Sequence, residues 1–189
     1  YKPVLKLLNS PTDGLLIADE VGLGKTIEAG LIWTELRARF ESNRLLVLCP
    51  KTLCEKWRSE LHQRFGVDAR IVNAEALLQL FTSAHQSGRG FAAIASMQSL
   101  RPPKGWDQTA EDGSPPDTGG RAKLARFLEE AAADEPSLDL LVIDEAHHMR
   151  NPDTMLHSVA RLVNGVALHR VFLSATPIHL RNRDLHSLL

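Results

Sequence analysis

A chain of 189 residues with 43% hydrophobic and 24% charged side chains has enough apolar material for one packed core. That excludes a disordered tail, a fibrous protein and a small disulfide-stapled scaffold, and no apolar run approaches the ~20 residues of a membrane helix, so no membrane partner is expected. The net charge of −1 is not the footprint of a stand-alone nucleic-acid binder, although it leaves room for a local basic patch.

In chain order, Gly14 to Ala18 reads as a buried strand running into a Gly-rich turn. Ala29, Trp33, Leu36 and Phe40 recur at helical spacing between Lys25 and Phe40. A second strand, Arg44 to Cys49, precedes a helix with Leu53, Trp57, Leu61 and Phe65 on one stripe, which assigns Trp57 to the core rather than to base stacking. Asp68 to Val72 is a short strand, Leu77, Leu80, Phe81 and Ala84 mark a helix, and Phe91 to Ala95 is a further strand. Residues 101–120 hold four prolines and four glycines without periodicity, which predicts a mobile insertion. Then come a helix with Leu124, Phe127, Leu128 and Ala131 and the strand Leu138 to Ile143. Asn151 and Pro152 read as the cap and first residue of a helix with Leu156, Val159, Ala160 and Val163 inward, and a last strand covers about Arg170 to Leu173. Strands alternating with helices predict an α/β fold, a mostly parallel sheet with helices on both faces.

Cys49 and Cys54 are the two cysteines; C-x4-C alone makes no zinc site, so they are read as packing residues of a reduced compartment. His147 and His148 lack a partner at ligand spacing, and the other histidines read as surface.

Three strand ends carry chemistry. The first is Ala18-Asp-Glu-Val-Gly-Leu-Gly-Lys-Thr26, between a buried strand and a helix, the context of a phosphate-binding loop. Gly22 and Gly24 let backbone N–H groups turn toward phosphate oxygens, and Asp19, Leu23 and Ile27 complete the candidate ATP-binding segment. Lys25 is suited to the β- and γ-phosphates and the Thr26 hydroxyl to Mg²⁺. The full Walker pattern has Gly where Asp19 stands. The second is Leu140-Leu-Val-Ile-Asp-Glu-Ala-His147, where Asp144 is a candidate Mg²⁺ ligand and Glu145 a candidate to orient or deprotonate the attacking water. The third is Val171-Phe-Leu-Ser-Ala-Thr-Pro177.

Together, Asp19 to Thr26, Asp144-Glu-Ala-His147 and Ser174-Ala-Thr176 resemble motifs I, II and III of superfamily 2 helicases. Leu16 to Ile32 is similar to motif I of Swi/Snf-type ATPases, particularly the bacterial RapA-like branch, where Asp commonly replaces the first Walker Gly. Leu46 to Trp57 is similar to motif Ia, and Ile94 to Arg101 to motif Ib.

The resemblance implies the first RecA-like lobe of an ATP- and Mg²⁺-dependent translocase on double-stranded DNA, with Lys25, Asp144 and Glu145 catalytic. It implies DNA-backbone contact at Lys51, Thr52, Ser96 and Met97, and coupling of nucleotide state to DNA grip through His147, Ser174, Ala175 and Thr176. A second RecA-like lobe, after Leu189 in the full-length protein, would supply arginines to the γ-phosphate, so the 189 residues alone are expected to hydrolyse ATP very slowly. Expected partners are that lobe, double-stranded DNA, and RNA polymerase or another DNA-bound complex, in the cytoplasm at the nucleoid. Alternatives are an RNA helicase of the DEAH or DEAD-box kind and a non-hydrolysing nucleotide-gated interaction module. Polymerase recycling, remodelling, repair and phage defence all stay open as the biological task.

Overall fold

A computed structural model describes residues 2–18, 24–107, 119–149 and 155–174. Six strands form one sheet, β1 (Gly14–Ala18), β2 (Arg44–Cys49), β3 (Arg70–Val72), β4 (Phe91–Ser96), β5 (Leu138–Ile143) and β6 (Ala167–Ser174). Their order is β1-β6-β5-β2-β4-β3, and every pairing is parallel. This is the expected α/β fold. The central strands are aliphatic on both sides because both faces are covered: Leu45 to Cys49 and Leu140 to Ile143 are all buried.

Seven helices complete the described fold: α1 (Lys2–Leu8), α2 (Lys25–Phe40), α3 (Cys54–Phe65), α4 (Ala74–Ser87), α5 (Met97–Leu100), α6 (Gly120–Ala131) and α7 (Met155–Gly165). Right-handed crossovers sort them. The chain moves one way across the sheet from β1 to β2 to β3, so α2 and α3 cover one face. It moves back from β3 through β4 and β5 to β6, so α4 to α7 cover the other. The helices that follow β1 and β5 therefore lie on opposite faces, and open α/β sheets bind ligands beyond the carboxyl ends of such strands.

Several elements differ from the sequence reading. Helix α1 was not expected: seven residues are too few to show a period, yet Val4 and Leu7 are buried. Phe40 sits on the periodic stripe but is 56% exposed, because α2 ends there and Glu41 turns left-handed. Leu53 lies in a 3-10 turn, Lys51–Leu53, ahead of α3. Strand β3 starts two residues later than expected and β6 three earlier. The extension of β6 takes in Ala167, Leu168 and polar His169. Next to it, the Arg170 guanidinium donates to the carbonyls of Thr12 and Asn164, so the strand holds no stranded charge. His169 is also not a surface residue, its side chain being only 12% exposed.

The expected insertion at 101–120 is built into the fold at both ends. Trp106 is buried in the core beside α6, its carbonyl accepting from Arg126, and α6 begins at Gly120. Residues 108–118 lie outside the described residues, as do the cap at Asn151 and Pro152.

One close approach fixes how α2 meets α3. A Cβ at Gly30 would overlap the Phe65 ring, so only glycine lets the two helices pack at this distance.

Candidate nucleotide site

Strand register brings three of the candidate segments to one edge. Ala18 at the end of β1 pairs with Ser174 at the end of β6, and Ile143 of β5 pairs with Phe172 of β6. With neighbouring strands ~4.8 Å apart, the ends of β1 and β5 stand about 10 Å from each other.

On the β1 side, Gly24 has φ 91°, a left-handed conformation open to glycine at little cost, and caps α2 with no side-chain hydrogen bond. Its carbonyl accepts from the Glu28 amide at 3.0 Å, so the helix starts at once with Lys25, Thr26 and Ile27 half-buried in the first turn. An N-terminus without a side-chain cap directs its first-turn amides and the helix dipole at the sheet edge. Asp19, Gly22 and Leu23 lie outside the described residues, as do Ala175 and Thr176. Ser174 is fully buried.

On the β5 side, the Asp144 amide donates to the Leu48 carbonyl at 2.8 Å, continuing the β2–β5 ladder past the end of the strand. Alternation along β5 puts Leu140 and Val142 on the face of α2 and α3, and Asp144 follows on that face. The carboxylate is 7% exposed. Its Oδ2 accepts from the Trp57 indole Nε1 at 2.9 Å, and its Oδ1 from the Glu145 amide at 2.9 Å. Trp57 is thus a core residue, as its stripe predicts, and also a partner of the site. Spacing alone gives no signal for that second role.

Glu145 has φ 53°, left-handed for a residue with a Cβ. Such backbone costs of order 1–3 kcal/mol and persists where the surroundings over-determine it, often at functional sites. The Glu145 Oε2 lies 3.2 Å from His147 Nδ1.

Cys49 ends β2 beside this group, its Sγ 3.6 Å from that of Cys54, and both thiols are free and buried. Burial above all, with Cys54 and then Asp144 adding to it, pushes the Cys49 thiol far above its ordinary range. A neutral thiol does not compete for a hard cation.

The motif Ia and Ib residues stand farther along the same edge. Lys51 and Thr52 are exposed on the 3-10 turn after β2. Ser96 is buried, its Oγ capping α5 by accepting from the Ser99 amide at 3.1 Å, and Met97 is 1% exposed. Only the first two therefore present side chains to solvent. Lys51 and Ser96 border a cleft of about 590 Å³ floored by Ile71, Val72 and Asn73.

Among the described residues, no group of three or more His, Cys, Asp and Glu side chains is placed to hold a metal ion. The Thr26 hydroxyl in the first turn of α2 and the Asp144 carboxylate are oxygen donors of the kind a hard cation takes. Two protein oxygens fit Mg²⁺, which keeps waters and takes substrate phosphates for the rest of its shell. No described helix is long and apolar enough to cross a membrane.

The SNF2-related domain model matches residues 4–189. The chain is 32% identical over 170 residues to the RNA polymerase-associated protein RapA of Stutzerimonas stutzeri, covering 86% of this chain and 15% of the relative. It is 31% identical over 180 residues to RapA of Vibrio cholerae, covering 91% and 16%. The chain thus spans about one sixth of the length of these curated relatives. In fold it resembles the Sulfolobus solfataricus SWI2/SNF2 ATPase core in complex with dsDNA, with a TM-score of 0.64 at 19% identity over 99% of this chain and 32% of that one. The Pyrococcus furiosus Hef helicase domain is similar at a TM-score of 0.57 and 18% identity, over 92% and 31%. The chain belongs to the SNF2-related domain family, as a RapA-like member of the Swi/Snf-type helicase-like proteins of superfamily 2.

Proposed function

We propose that these residues form the ATP-binding lobe of a DNA-dependent ATPase that translocates on double-stranded DNA. The observation that carries the reading is the buried Asp144 carboxylate, facing the same side of the sheet as the helix that opens with Lys25 and Thr26. Gly24 and the α2 N-terminus receive the phosphates, with Asp19, Gly22, Leu23 and Ile27 completing the loop, and Lys25 neutralises charge on the β- and γ-oxygens. Thr26 and Asp144 would hold Mg²⁺, which when bound draws charge from the transferring phosphoryl group. Glu145 accepts a proton from, or orients, the attacking water. On this reading one carboxylate serves the metal and the other the water.

Lys51 and Thr52 meet the DNA backbone with side chains, and Ser96 and Met97 through their main chain, contacts that position without reading sequence. His147, beside Glu145, and Ser174, beside the β1 end, couple nucleotide state to that grip together with Ala175 and Thr176. A second RecA-like lobe completes the site with arginines, worth ~10³–10⁵ in rate. On its own the 189-residue lobe therefore binds Mg·ATP weakly and turns it over very slowly. RNA polymerase is the proposed partner of the full-length protein, on the strength of the relatives' name.

The test is ATP turnover by the full-length protein with duplex DNA, single-stranded DNA and RNA in turn. Stimulation by duplex DNA is expected. Stimulation by RNA alone would move the assignment to an RNA helicase, and nucleotide binding without turnover to a nucleotide-gated interaction module.

A further inference from the structure

The apolar face under α2 and α3 holds two buried indoles, Trp33 and Trp57, 3% and 2% exposed. They differ in what their N–H groups do. Trp33 Nε1 has no hydrogen-bond partner among the described residues, whereas Trp57 Nε1 is spent on Asp144 Oδ2. A core needing only bulk at position 57 would be served by Phe or Leu. An indole there supplies a donor that reaches a carboxylate from a rigid side chain with two torsions.

The geometry around Asp144 leaves little else to hold it. Its main chain is pinned to Leu48, and among the described residues the Trp57 indole is the one side chain that donates to it. Each carboxylate oxygen has two lone-pair directions. The Glu145 amide takes one of Oδ1 and the Trp57 indole one of Oδ2, so each oxygen keeps one direction for a further ligand. Cys54 and Trp57 of α3 share one core with Val142 of β5. The donor and the strand that ends in its acceptor therefore move as one body.

We infer that Trp57 is a positioning residue, whose indole N–H fixes the Asp144 carboxylate in the orientation that receives the metal of bound Mg·ATP. The inference rests on the ATPase reading above and adds the outer-shell partner to it. Hydrogen-bond partners behind a metal ligand are worth about 10- to 100-fold in metal affinity.

The test measures binding of a fluorescent ATP analogue to the full-length protein as Mg²⁺ is titrated. In Trp57→Phe, which keeps an aromatic ring and loses the N–H, nucleotide affinity without metal is expected to stay within about twofold. The Mg²⁺ concentration giving half of the metal-dependent tightening rises about 10-fold or more. Replacing Trp57 by benzothienylalanine, which has sulfur in place of the indole N–H at nearly the same volume, gives the same rise and guards against a folding defect in the Phe variant. Leu61→Ala, one turn further on α3, thins the same core without touching Asp144 and leaves the Mg²⁺ midpoint unchanged. An unmoved midpoint in both Trp57 variants, with normal wild-type binding, overturns the positioning role alone. A midpoint that shifts equally in Leu61→Ala also overturns it. No Mg²⁺-dependent tightening in the wild type overturns the ATPase reading and this inference together.

Discussion

Strand β5 bears an aspartate at each end, and the two are held in opposite ways. Asp139, at the amino end, uses a single oxygen, Oδ2, to accept from the amides of Asn43 and Arg44 at 2.7 and 2.8 Å. It ties the start of β2 to the start of β5 through main-chain donors alone. Asp144, at the carboxyl end, divides its oxygens between a neighbouring amide and a side chain from another helix, and keeps a lone pair on each. The first arrangement fills one oxygen with two main-chain donors and makes the carboxylate a structural tie. The second puts one donor on each oxygen, which sets the plane of the carboxylate and leaves one direction open on both. Two residues of one type, five apart along one strand and the turn after it, are thus held differently by their donors, and the proposed chemistry stands at the carboxyl end of the strand.

That contrast can be broken by experiment. The largest effect is expected at the carboxyl end, where Glu145→Gln in the full-length protein keeps ATP binding and lowers turnover by about 10²–10⁴, the worth of a positioned general base. Unchanged steady-state hydrolysis would remove Glu145 from that role. At the other end, Asp139→Ala forfeits two charge-assisted bonds and is expected to cost about 2–3 kcal/mol of stability. The midpoint in urea should fall while the ATP affinity of the folded protein is retained, and a loss of affinity at unchanged midpoint would erase the distinction between the two ends.

Gly30→Ala tests the platform that Asp144 shares with α2 and α3. The added methyl meets the Phe65 ring, and overpacking of this kind costs about 1–3 kcal/mol, read as earlier thermal unfolding. The smallest effect concerns pH at the amino end. Burial is the main influence lowering His169 below its ordinary value near 6.5, partly offset by Asp13. The unfolded chain therefore takes up this proton at a higher pH than the fold does, so stability falls as pH drops below about 6.5 until the folded form is protonated too. Chemical denaturation at several pH values should show that slope, flattened in His169→Gln.

The sheet, its strand sequence and the helices around it were legible because continuous aliphatic runs and a 3.6-residue period survive in the sequence. Helix α1 was not, since two buried residues in seven make no period. The length of β6 was not, since exposed Leu168 and polar His169 interrupt the aliphatic run at its start. In the candidate site, residue types and chain order were legible in Lys25, Thr26, Asp144 and Glu145. The Trp57–Asp144 bond joins residues 87 positions apart, and periodicity reports a residue's face but not the target of its N–H. The left-handed Glu145 was equally hidden, because nothing local asks for it.

The clamp at Arg170 has a mechanical consequence. Its amide donates to the Asp13 carbonyl and its guanidinium to the Thr12 carbonyl, riveting the foot of β6 to the foot of β1. Two rods joined at the base and laddered along their length cannot slide past each other. On the proposed reading, any stroke passed from Lys25 to Ser174 works against the sheet as a fixed frame.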